Sequence, residues 1–98
     1  VLQALGEQGF LINIARGSVV DEAALVAALE AEQLARAALD VFEHEPAIPA
    51  ALLQNERVVL TPHIGSATGE TRLDMDELLL QNVAAFVNEG RLVTAVSA

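Results

Sequence analysis

The stretch "FLINIARGSVVDEAALVAALE", residues 10–30, changes its period part-way through. Residues 10 to 14 form a continuous apolar run broken only by Asn13, which reads as a strand buried on both faces. "ARGSVV" then turns the chain. Asp21 stands where an N-cap belongs, and Leu25, Ala28 and Leu29 fall at i, i+3 and i+4, the spacing of one helical face. The expectation is a strand, a turn and a helix from about 22 to 32.

Working outward, "RAALDVF", 36 to 42, is short, apolar and ends in Val-Phe, so it reads as a second strand, although its alanines also tolerate a helix. "EHEPAIP" places two prolines within four residues, which blocks helix propagation and marks a surface loop. "ALLQN" allows one helical turn, and "RVVLT", 57 to 61, is the clearest β-branched strand. From Thr68 the period changes again. Met75, Leu79, Val83 and Phe86 share one face of a helix running to about Asn88, with Gly90 as its stop and Glu70 in its first turn, where an acid complements the dipole. At the ends, "VLQALGEQG" reads as the tail of a helix and "RLVTAVSA" as an extended exit segment. A chain that opens on Val1 in a helix tail reads as the C-terminal part of something longer.

Buried strands separated by crossovers imply a parallel sheet in an α/β layer architecture. Three strands make half of a doubly wound sheet. Antiparallel pairing of 10–14 with 36–42 would instead mean a different α/β fold.

Composition narrows the function. Of 98 residues, 53% are hydrophobic, which argues against disorder. Five arginines and no lysine face fourteen acids, a formal net charge of −9, so nothing offers a phosphate backbone a basic stripe and nucleic acid is not an expected partner. No apolar run reaches the roughly 20 residues of a membrane span, so no membrane is expected and a cytoplasmic protein is the default. The lack of cysteine removes thiol chemistry, and two histidines alone make a poor metal site.

In an open parallel sheet, ligands bind beyond the carboxyl ends of the strands. Arg16 follows the first strand, Asp40, Glu43 and Glu45 lie at or past the second, and His63 follows the third. Each has an ordinary explanation: a histidine after a strand is usually a cap or surface residue, an arginine a salt-bridge partner, "EHE" a solvated charge cluster, and Gly17 or Gly65 a simple turn. Together they match what hydride reduction of a carbonyl needs: a proton donor, a cation for the substrate carboxylate, and a group that fixes the imidazole. A carboxylate beside His63 would favour imidazolium, and arginine's planar fork matches a carboxylate bidentately. Serine hydrolysis would want Gly-x-Ser-x-Gly and phosphate cradling a glycine-rich loop, and neither pattern occurs.

"LINIARGSVVDEAAL", "ALDVFEHEP" and "LTPHIGSAT", in this order and spacing, closely resemble the C-terminal part of the nucleotide-binding domain of the D-isomer-specific 2-hydroxyacid dehydrogenases, over roughly residues 5 to 90. The resemblance implies half of a Rossmann-type sheet from an enzyme that interconverts 2-oxo acids and D-2-hydroxy acids with NAD or NADP. It implies that Arg16 holds the substrate carboxylate and carbonyl, His63 is the acid/base and Glu45 tunes His63. It also implies that Asp40 lies near the nicotinamide carboxamide, and that Ile14, Ala15, Arg16, His63, Gly65 and Ser66 line the cofactor. His44 falls at a variable position and receives no role. The glycine-rich fingerprint is expected upstream of Val1, and the substrate domain is absent from this chain as well, so the isolated chain is expected to show little or no turnover. The parent is expected to be a homodimer, and the exposed edge of a half-sheet makes self-association of this chain a further expectation. A non-catalytic binding module with the same fold is the alternative.

Overall fold

The computed structural model describes residues 1–96. It divides into two compact units, Val1–Gly65 and a second that begins at Ser66.

The first unit opens with one helical turn, α1 (Leu2–Leu5), and β1 (Phe10–Asn13). A 3-10 turn over Gly17–Val19 leads into α2 (Glu22–Glu30), followed by β2 (Arg36–Leu39), α3 (Ala50–Leu53) and β3 (Val58–Leu60). Asp21 caps α2: its Oδ1 accepts the Ala24 N–H at 2.9 Å, satisfying a donor that has no intrahelical partner. The helix ends where Glu32 takes φ 55° and the Gln33 N–H closes on the Ala28 carbonyl at 2.9 Å. Leu25 and Leu29 are fully buried and Ala28 nearly so, the face expected from their spacing.

Both strand pairs are parallel, in the order β1-β2-β3, with Phe10 opposite Arg36 and Ala37 opposite Val58. That excludes the antiparallel alternative. Leu11, Ala37, Leu39, Val58 and Leu60 face Leu25 and Leu29 of α2, Leu34, Phe42 and Leu52 of α3 in one core. Each fully buried leucine contributes roughly 2 kcal/mol relative to an exposed one.

Two expectations for the strands are corrected. β1 is not buried on both faces: Phe10 is 61% and Ile12 69% exposed, because α2 covers the opposite face of the sheet. β2 stops at Leu39 rather than Phe42, since the Phe42 N–H turns away from the ladder to a side chain, that of Glu45. The "EHEPAIP" loop does form at the surface, with a cis Glu45–Pro46 peptide and a bridge between His44 and Ala47.

The second unit is built on α4 (Gly69–Glu89). Thr68 caps it through the Thr71 N–H at 3.2 Å, and Gly90, at φ 68°, ends it in the left-handed region that glycine enters without a Cβ clash. Met75, Leu79, Val83 and Phe86 lie along α4 as expected and are exposed. The tail is not an extended exit: the Asn82 side chain accepts the Val93 and Thr94 N–H groups at 3.0 and 3.1 Å, folding it back on the helix. The last two positions of that expectation, 97 and 98, lie outside the described residues. No helix among the described residues is long and apolar enough to cross a membrane.

Candidate active site

The parallel ladder brings the polar side chains that follow its three strands to its carboxyl edge. The Asp40 N–H bonds the Asn13 carbonyl and the Thr61 N–H bonds the Leu39 carbonyl, each at 3.0 Å, so the exits of β1, β2 and β3 lie side by side.

At the first exit, buried Asn13 shapes the backbone. Its Nδ2 donates to the Arg16 carbonyl at 2.9 Å and its Oδ1 accepts the Ala15 N–H at 3.1 Å, an Asx-type turn that fixes residues 14 to 16. Ile14 and Arg16 are exposed, and the Arg16 guanidinium donates to the Ala15 carbonyl at 2.6 Å. Gly17 is buried against the second exit, where an added Cβ would overlap the Phe42 carbonyl and the Glu43 nitrogen.

At the second exit Asp40, 5% exposed, gathers the third. Its Oδ1 accepts the Thr61 hydroxyl at 2.5 Å and the Ile64 N–H at 2.9 Å, and its Oδ2 accepts the Gly65 N–H at 2.8 Å. The Thr61 hydroxyl foremost, then the Ile64 amide, holds the Asp40 carboxyl below its ordinary range, against the opposing effect of burial.

Glu45 is held by the loop it stands on: Oε1 accepts the Phe42 N–H at 3.0 Å, while Oε2 lies 2.8 Å from His63 Nδ1. The bond to His63, followed by that to Phe42, keeps the Glu45 carboxyl below its ordinary range. An ionised carboxylate only accepts, so Nδ1 carries the hydrogen of this bond. Nε2 has no hydrogen-bond partner among the described residues. His63 itself takes φ 54°, one residue past Pro62.

Of the residues singled out in the sequence, Glu45 and His63 are thus in direct contact, and Asp40 and Gly65 are bonded to each other. Arg16, Ile14 and Ala15 share the same sheet edge. Arg16 makes no hydrogen bond or ion pair to Glu45 or His63 among the described residues. Ser66 falls in the second unit. Asn13, Glu22 and Thr61 escaped the sequence reading. The one signal for Asn13 was a lone polar residue near the end of an apolar strand. A cavity of about 670 Å³ lined by α1, Leu11 and α2 contains none of Arg16, Glu45 and His63. No cluster of metal-ligating side chains occurs among the described residues.

Residues 1–65, the unit that carries these side chains, match the model of the family described as D-isomer specific 2-hydroxyacid dehydrogenase, NAD binding domain. The chain belongs to that family. Among its dehydrogenase relatives, the 2-ketogluconate reductase of Gluconobacter oxydans is 50% identical over 95 residues, 97% of this chain and 31% of that protein. A glyoxylate/hydroxypyruvate reductase A of Arabidopsis thaliana is 50% identical over 96 residues, again 31% of its length. The crystal structure of an NADPH-dependent glyoxylate/hydroxypyruvate reductase from Sinorhizobium meliloti, in complex with NADP and malonate, superposes with a TM-score of 0.95 at 50% identity, covering 98% of this chain and 30% of that one. The chain therefore spans just under a third of the length of these relatives.

Proposed function

We propose that this chain carries the proton-transfer and substrate-anchoring residues of an NAD(P)-dependent oxidoreductase that interconverts a 2-oxo acid and a D-2-hydroxy acid. The observation that carries the reading is the 2.8 Å bond between Glu45 Oε2 and His63 Nδ1, with Glu45 anchored independently by the Phe42 N–H. That arrangement keeps a hydrogen on Nδ1, so the imidazolium gives its Nε2 proton to a carbonyl oxygen as negative charge develops there, and the neutral ring that remains takes a proton back at Nε2 in the reverse direction. Arg16, exposed at the same edge, is the cation for the substrate carboxylate.

The residues also suit a nicotinamide. A carboxylate offers about four acceptor positions, and Asp40 uses three, so one remains for the N–H of a carboxamide. The exposed apolar side chains of Ile14 and Ile64 offer surface for an aromatic ring. Ala15 and Gly65 complete the cofactor lining in this proposal. A reduced nicotinamide, when bound, supplies the hydride.

The proposal includes a domain assignment. Residues 1–98 make the C-terminal portion of a Rossmann-type NAD(P)-binding domain, with the glycine-rich half and the substrate domain supplied by further polypeptide. The relatives' greater length supports this. It follows that the isolated chain gives no turnover. In this proposal the parent enzyme is cytoplasmic and homodimeric, and the exposed apolar residues of α4 offer an interface for the dimer.

The test is a hybrid in which this chain replaces the matching segment of the Sinorhizobium enzyme, assayed by NADPH oxidation with glyoxylate, hydroxypyruvate and pyruvate. Turnover is expected from the hybrid and none from the 98-residue chain. Replacing His63 by Ala in the hybrid should slow the chemical step by on the order of 10²–10⁴-fold. A hybrid that binds NADPH and turns over equally well without His63 would remove the proposed mechanism, and one that binds NADPH without any turnover would favour a non-catalytic module.

A further inference from the structure

We infer that Glu22 is a positioning residue for the Glu45–His63 pair, acting with Gly17 to clamp the Phe42–Glu43 peptide and so to fix Phe42, whose own N–H holds Glu45. Its relevance to catalysis rests on the function proposed above; the clamp itself does not.

Glu22 is 7% exposed, although it lies in the first turn of a surface helix. An acid there complements the helix dipole, which explains the residue type but neither its burial nor its partner. Its Oε1 accepts the Glu43 N–H at 2.8 Å, from the loop after β2. A glutamate is almost never buried without such a partner. The other side of the same peptide meets Gly17, at which any Cβ would overlap the Phe42 carbonyl carbon and oxygen. The peptide is therefore fixed by a hydrogen bond on its N–H and by close backbone packing on its carbonyl.

The next link lies across the Phe42 Cα, in the preceding peptide. The Phe42 N–H donates to Glu45 Oε1 at 3.0 Å, and Glu45 Oε2 meets His63 Nδ1 at 2.8 Å. Removing the Glu22 acceptor leaves the Glu43 N–H unpaired and frees the loop to reseat, so Glu45 loses its fixed approach to the imidazole. Glu22 touches neither of the paired side chains, and its role is exercised entirely through the backbone of residues 42 and 43.

The experiment follows the Glu45 carboxyl by ¹³C NMR during a pH titration of the full 98-residue chain. Two charged groups face that carboxyl, His63 and Asp40. In the unaltered chain Glu45 should titrate below the ordinary glutamate range. Glu22→Ala should move it back toward that range, whereas Glu22→Gln, whose amide oxygen still accepts a hydrogen bond, should leave it low. An unmoved Glu45 in Glu22→Ala, or equal effects of Ala and Gln, overturns the clamp. Should Glu22→Ala fail to fold, amide exchange in the unaltered chain decides: the Glu43 N–H must be protected, and exchange as fast as in a free loop rejects the inference. An inactive hybrid enzyme in which Glu45 still responds to Glu22→Ala would sink the catalytic reading and leave the clamp standing.

Discussion

His63 occupies a backbone conformation that non-glycine residues rarely adopt, at a cost of roughly 1–2 kcal/mol. What holds it there is the Asp40 carboxylate, bonded to Thr61 on one side and to the Ile64 and Gly65 N–H groups on the other. Asp40→Asn leaves fewer acceptor positions for the same three donors, and is expected to lower the thermal midpoint by on the order of 5–10 °C, measured by calorimetry. Asp40 and Glu45 both titrate below their ordinary values, 3.8 and 4.5, so the folded state binds fewer protons than the unfolded state over that range. Their stabilisation is complete above about pH 4.5 and is lost as pH falls through the lowered values. Acid unfolding of Asp40→Asn should accordingly show a shallower pH dependence, with Glu45, its side chain 36% exposed, adding a smaller, salt-screened share. In the hybrid enzyme Glu45→Gln should lower kcat roughly 10–100-fold and flatten the pH–rate profile, because the imidazolium loses its charged partner. That a carboxylate would arrive beside His63 was legible in the strand order, but Asp40, Glu43 and Glu45 all qualified, and Glu45 was singled out by the family resemblance. The bonds of Asn13, Glu22 and Thr61 were not legible. Those of Glu22 and Thr61 join residues far apart in the chain, and polar residues near strand and helix ends carry no mark of which distant donor they will meet.

At the level of the elements, caps were the most readable features. Asp21 and Gly90 do what their residue type implies, and Thr68, where the helical period begins, caps its helix, because capping is settled within a single turn. Asp21→Ala should cost about 1 kcal/mol in chemical denaturation by removing the acceptor of the Ala24 N–H. Gly90→Ala should cost a similar amount, about 1 kcal/mol, through the left-handed backbone it would have to adopt. β1 was less readable: an apolar run shows what a residue prefers, not whether a neighbour exists to cover it. The end of β2 was hidden for another reason, since Val41 and Phe42 are as apolar and as buried as a strand would make them. The Phe42 N–H bonds Glu45 instead of the ladder, and the neighbouring strand has already ended at Leu60. The returning tail depends on the amide of Asn82, which looks in the sequence like any polar residue on a helix surface.

Taken as a whole, the molecule leaves much apolar surface in water. Phe10, Ile12 and Val59 stand exposed on the strands, and Leu73, Leu79, Leu80, Phe86 and Val87 on α4. Isolated side chains of this kind are ordinary, but a run of them promotes association. Sedimentation velocity should show reversible, concentration-dependent self-association of the chain at neutral pH, and Ile12→Lys should weaken it; a strictly monomeric profile at all concentrations would contradict this. The place of β2 in the sheet bears on how the chain folds. Each outer strand pairs with β2 and neither pairs with the other, so no part of the sheet can form before the middle strand is in place and a long crossover has closed. Substitutions in Ala37 or Leu39 should therefore slow folding itself, while those in the outer strands should chiefly hasten unfolding.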